Sequence, residues 1–114
     1  MRLVRAPTVL RQGSVSEPEP HEIWVRGTDS IGALAKNIHD ALEDHPYVDV
    51  ACMGAAPTNS GAKAVAELRK LYAETHHPGV EIFCQPFFST FIDAHGEERN
   101  RIVFRVFSIY SPAA

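Results

Sequence analysis

Hydrophobic residues recur along this chain with two different periods, and the switches between them predict its elements. From Glu22 to Gly27 the positions alternate, with Ile23 and Val25 on one side and Glu22, Trp24 and Arg26 on the other, as in a strand with two unlike faces. Over Ile31 to Glu43 the period lengthens. Ile31, Leu34, Ala35, Ile38, Ala41 and Leu42 follow the i, i+3, i+4, i+7 pattern of an amphipathic helix, while Lys36, Asp40 and Glu43 take the wet side. Thr28-Asp29-Ser30 offers N-caps for that helix, and His45-Pro46 stops it. Val48 to Met53 is apolar on both sides of the alternation, as a strand buried on both faces would be. The small residues from Gly54 to Gly61 read as a turn holding several N-cap candidates. A second helix is then expected over Ala62 to Glu74, with Gly61, Val65, Leu68 and Tyr72 on one stripe and Lys63, Glu67, Lys70 and Glu74 on another.

His76-His77-Pro78-Gly79 supplies a stop and a turn. A third strand runs from Val80 to Phe88, interrupted or bulged near Pro86 as an edge strand tolerates, and continues through Thr90 and Ile92. Asp93-Ala94-His95-Gly96-Glu97 turns the chain back into a last strand, about Arg99 to Tyr110. In it Ile102, Phe104 and Val106 share one face, and Arg101, Val103, Arg105 and Phe107 the other. The order is β-α-β-α-β-β. Right-handed crossovers that step in one direction put both helices on one face, so the expected fold is an α/β two-layer sandwich with a four-stranded mixed sheet. The uncovered face would carry Trp24, Arg26, Ala51, Met53, Phe83, Arg101, Val103, Arg105 and Phe107. It is too apolar for open water, which calls for a homodimer or a docked tail as cover.

Composition adds bounds. The 114 residues suffice for one core, preceded by a flexible tail over residues 1–21, so the domain spans 22–114. The tail holds Arg2, Arg5 and Arg11 and then Ser14-Val15-Ser16-Glu17-Pro18-Glu19-Pro20, an extended linker by composition. The chain has 11 Lys+Arg against 14 Asp+Glu, a net charge of −3. Removing the tail, with its three arginines and two glutamates, leaves 8 basic residues against 12 acidic ones, a net of −4. Indiscriminate adhesion to nucleic acid or anionic membrane is therefore not the default. Cys52 and Cys84 lie in apolar runs and are expected to be buried, reduced thiols. No run approaches the roughly 20 apolar residues of a membrane span, and the N-terminus lacks the apolar core of a signal peptide. A cytoplasmic protein is expected.

Catalytic and metal chemistry find little to stand on. His76 and His77 are adjacent and so turn apart, His39 and His45 are separated by a helix end, and no cysteine or acid stands at ligand spacing beside either pair. Cys84 with a distant histidine is the sole nucleophile arrangement, in an apolar setting that makes a thiol inert. The expectation is a non-enzyme with no metal, no cofactor and no small-molecule substrate. Two surfaces suit binding instead. At the loop end, the N-termini of both helices converge with Arg26, Thr28, Ser30, Thr58, Asn59, Ser60 and Lys63, an arrangement fit for phosphate, although Thr28, Asp29, Thr58 and Asn59 also serve simply as helix caps. Arg99 or Arg101 and the arginine-bearing tail would reach over the same end. On the open face, Trp24 and Phe107 lie among Arg26, Arg101 and Arg105, which suits either stacked bases or a subunit interface.

The run Met53-Gly54-Ala55-Ala56-Pro57-Thr58-Asn59-Ser60-Gly61-Ala62-Lys63-Ala64-Val65-Ala66 resembles the glycine-alanine turn and the Lys-Ala-Val-Ala helix of the stage V sporulation protein S family. Phe83-Cys84-Gln85-Pro86 and Gly96-Glu97-Glu98-Arg99 resemble its third strand and hairpin, and the similarity covers about residues 22–110. The resemblance implies an Alba-like fold, a homodimer, DNA or RNA as partner, and a part in development. The chain departs from that pattern in its tail and in a hairpin, Asp93-Ala94-His95-Gly96, one residue longer. It also carries Arg26-Gly27-Thr28-Asp29-Ser30 where Alba proteins have paired lysines. The alternative reading is a protein-interaction or scaffold module acting through the apolar open sheet face and the tail.

Overall fold

The computed structural model describes residues 21–75 and 79–110. Residues 1–20 of the expected tail and the His76-His77-Pro78 stretch lie outside these residues, while His21, expected to end the tail, opens the first strand. The elements are β1 (His21–Trp24), α1 (Ile31–Asp44), β2 (Val48–Cys52), α2 (Ala55–Thr75), β3 (Val80–Ile92) and β4 (Glu98–Tyr110). The sheet order is β1-β2-β4-β3, with β1 parallel to β2 and β4 antiparallel to both of its neighbours. The first crossover moves one place, and the second moves two in the same direction, over the place that β4 fills on its return. Handedness then puts both helices on one side, giving the expected two-layer α/β sandwich.

Between the layers lies one core. Leu34, Ala35 and Ile38 of α1 and Ala64, Leu68 and Tyr72 of α2 pack on Val48, Val50, Cys52 and Val106 of the sheet. Each large aliphatic side chain in this set contributes on the order of 1.5–3 kcal/mol. Ile31, Leu42 and Val65, expected beneath the helices, are only partly buried at the margin of this cluster. Ser30 caps α1, its Oγ accepting from the Ala33 N–H.

Helix α2 begins well before the expected Ala62. Gly54 precedes it with φ +91°, and its carbonyl accepts both the Thr58 N–H at 3.2 Å and the Thr58 hydroxyl at 2.7 Å. Pro57 falls in the first turn, where a backbone N–H has no intrahelical acceptor, so the proline costs the helix nothing. Thr58, Asn59 and Ser60 are thus helical residues and not caps. Ser60 and Gly61 are buried where the helix packs closely, whereas Asn59 is exposed. At Gly61 a Cβ would stand 2.6 Å from the Cys52 sulfur and 3.5 Å from the Phe104 ring. Gly61→Ala would gain about 1 kcal/mol in helix propensity but lose about 1–3 kcal/mol to overpacking. Net destabilisation is expected in urea unfolding, and Cys52→Ala should relieve it; a double variant no more stable than Gly61→Ala alone would rule out the collision.

Strand β3 is continuous where an interruption at Pro86 was expected. Pro86 pairs with Phe104 inside an unbroken register from Val80↔Tyr110 to Ile92↔Glu98. Because β3 is an edge strand, the proline nitrogen can face the free side without removing a ladder bond. β4 pairs with β2 only over Ile102 to Val106, so beyond that span the β3–β4 hairpin projects as a two-stranded arm.

Candidate functional site

The ends of β1 and β2, the starts of α1 and α2, and the hairpin turn after β3 all lie at one end of the sheet, as the strand directions require. Arg26 leaves β1 there. Asp29 holds it by both ends of its carboxylate: Oδ2 accepts the Arg26 backbone N–H at 2.8 Å and Oδ1 accepts Nε at 3.1 Å. The Arg26 side chain is nevertheless 83% exposed, and the bond uses Nε alone. Thr28 is exposed, while Ser30 is committed to its cap. On α2, Asn59 and Lys63 are exposed and one turn apart on the same stripe. Lys63 engages no carboxylate among the described residues. Ser60 is buried at 8% exposure, so its hydroxyl does not belong to the surface set.

The hairpin turn is built by Asp93. Its Oδ1 accepts the N–H groups of His95 and Glu97 at 2.8 and 3.0 Å, and Gly96 takes φ +80° to close the loop. The Glu97 and His95 N–H groups, with Arg99 nearby, hold the Asp93 carboxyl below the usual carboxylate range. Arg99 Nε lies 3.3 Å from Asp93 Oδ2, which steadies the guanidinium while leaving it half exposed. Arg26 and Arg99 thus share one device: a short acid engages Nε while the side chain stays exposed.

Arg101 differs. Its Nη1 and Nη2 donate to Glu22 at 2.8 and 3.0 Å and its Nε to Ser89 at 3.3 Å, so every nitrogen is used. Its guanidinium lies over Trp24, 4.7 Å from the ring centroid, with Phe91 at 5.7 Å. Trp24 itself meets Phe91 edge-on at 5.2 Å. Those two rings belong to strands at opposite edges of the sheet, so the sheet must curl with its open side concave. Arg105 repeats the pattern deeper in the face. Nε and Nη2 bind the two oxygens of Asp49 at 2.7 and 2.8 Å, and the guanidinium lies 4.5 Å from the Tyr47 ring and 5.3 Å from that of Phe87.

These contacts change the picture of the uncovered face. Ala51, Val103, Arg105 and Phe107 are buried within it, roofed by neighbours on the same face, whereas Trp24 and Phe83 stay about half exposed. Of the three arginines expected among the stacking aromatics, Arg101 and Arg105 are engaged by acids and rings of their own chain. Glu22, Asp49, Tyr47, Phe87 and Phe91 were absent from the expected set. Their signal was the single acid in each of the runs HEIW and VDVAC; Asp49 lies directly opposite Arg105 on β4, and Glu22 reaches Arg101 from β1, one strand further off.

The expectation of two buried cysteines holds for Cys52 only. Burial pushes the Cys52 thiol up to about 11, which keeps it protonated at neutral pH. Cys84, on the edge strand β3, is exposed, although partial desolvation still raises its pKa. Among the described residues no three His, Cys, Asp or Glu gather as metal ligands, and no helix is long and apolar enough to cross a membrane.

Between the first turns of α2 and the projecting arm lies an open groove of about 550 Å³, lined by Ala55, Thr58, Asn59 and Ala62 on one side and Phe88, Asn100 and Ile102 on the other. No curated protein matches the chain. A family model described as stage V sporulation protein S (SpoVS) matches residues 21–109, which takes in all the strands and helices described above except the last residue of β4. The chain belongs to the stage V sporulation protein S family.

Proposed function

We propose that the protein is a non-catalytic nucleic-acid-binding protein that meets phosphates at the loop end, with a role in sporulation or a related developmental process and a homodimer as its working form. The observation that carries this reading is the state of three cations: Arg26 and Arg99 are steadied through Nε with side chains that stay exposed, and Lys63 is exposed and engages no carboxylate among the described residues. A guanidinium already oriented by a neighbour loses less freedom when it grips a phosphate. Thr28, Asn59 and the first N–H groups of both helices add neutral donors. Arg101 supports the site as part of the wall beneath Trp24 and is not itself a phosphate contact.

With so few cations, about two to four phosphates would be touched, and a log–log salt slope near −0.9 per phosphate is expected on duplex DNA. Affinity should be modest and independent of sequence. Arg26→Ala and Lys63→Ala should each weaken binding to all sequences alike and flatten the slope by about one. Titrations at several salt concentrations check this; unchanged binding in both variants would refute the site. A second reading, a protein-interaction module, is favoured by Asp29, Asp93, Glu97 and Glu98, which offset the cations at the same end. It replaces the first if the wild-type chain binds no nucleic acid even at low salt.

A further inference from the structure

The groove beside α2 has a feature that phosphate contacts do not use. Phe88 is 80% exposed, the most exposed large apolar residue described, and it stands on the groove side of the arm next to its cross-strand partner Ile102. An aromatic ring left this open has no structural task in the core. Ala55 and Ala62 add apolar lining from the helix side, and Asn59 and Asn100 line the groove as its two amides. Asn100 pairs with Thr90 and so shares the strand face of Ile102 and Phe88. At about 550 Å³ the groove is within the usual range of small-molecule sites and has room for a nucleobase.

We propose that this groove receives an unstacked base of single-stranded nucleic acid, with Phe88 as the stacking platform and Asn59 and Asn100 reading the base edge. The inference rests on the loop-end reading above, because Lys63, one turn beyond Asn59, would hold the phosphate of the same nucleotide. A paired base cannot enter a recess between a helix and a strand arm, whereas a splayed one can. Stacking is tolerant of base identity, so the preference is for single strands over duplex and not for a sequence.

The test titrates the full chain with labelled oligothymidylate, oligouridylate and a duplex of equal length, following fluorescence anisotropy. Wild type should favour the single strands. Phe88→Ala, which removes an exposed ring and leaves the core intact, should weaken single-strand binding by roughly 5- to 150-fold and leave duplex binding unchanged. Phe88→Trp should restore affinity, with tryptophan emission quenched at saturation. If Phe88→Ala leaves single-strand binding intact, or lowers both alike, the base site is overturned while the phosphate reading stands. If wild type binds nothing, both fall together. If Phe88→Ala instead halves the sedimenting mass, the ring is a subunit contact and the inference is overturned.

Discussion

Asp49→Ala should be among the most damaging single changes in this protein, costing about 3–5 kcal/mol. Asp49 is 3% exposed and Arg105 is 8% exposed, and two short bonds join them beside the rings of Tyr47 and Phe87. Removing the carboxylate takes both of these bonds from a largely buried guanidinium. The penalty comes from the buried charge losing its counter-charge, not from the net strength of the pair. Replacing both partners, as in Asp49→Val with Arg105→Met, should therefore recover most of the loss. Urea unfolding of the two singles and the double gives the coupling directly. A single variant as stable as wild type, or a double as unstable as the worse single, would contradict this account. The Glu22–Arg101 pair has the same form but is more exposed, at 31% and 13% for the side chains, so its loss should cost less.

Ile38→Asp is expected to cost on a similar scale, about 3–5 kcal/mol, for a different reason. Ile38 is wholly buried in the apolar cluster that joins α1 to the sheet, where a carboxylate would give up its water. Ile38→Val, which only removes a methylene, should cost about 0.5–1.5 kcal/mol. Leu42→Asp, one turn further on and half buried, should fall between them. Thermal or urea unfolding ranks the three. If Leu42→Asp proved as harmful as Ile38→Asp, the core would extend further along α1 than the burial pattern indicates.

How much of this was legible beforehand depends on the distance over which each signal acts. Helix α1 could be read from its own residues because the apolar stripe, the Ser30 cap and the His45-Pro46 stop all lie within one short run. The hairpin after Ile92 was equally local, since Asp93 organises the turn through bonds to residues two and four places on. The start of α2 misled for the opposite reason. Gly54 to Gly61 has the composition of a turn, and it becomes helix because small side chains let α2 press against Cys52 and Phe104. Cys84 misled in a similar way: its apolar neighbours suggested burial, but on the edge strand β3 it stays exposed even while paired with the core residue Val106.

The loop-end placement of Arg26, Asn59 and Arg99 was visible because strand direction alone sends those residues to one end, whereas the early start of α2 at Ala55 sets Lys63 two turns along the helix and not at its N-terminus. Which of these cations remain available was not visible, because it turns on which acid each one meets. Arg26 and Arg99 meet acids a few residues away, whereas Arg101 reaches Glu22 across 79 residues of chain and Arg105 reaches Asp49 across 56. Periodicity records only which face a side chain takes. Its partner on that face follows from strand order, register and the curl of the sheet, and those exist only once the whole chain has folded.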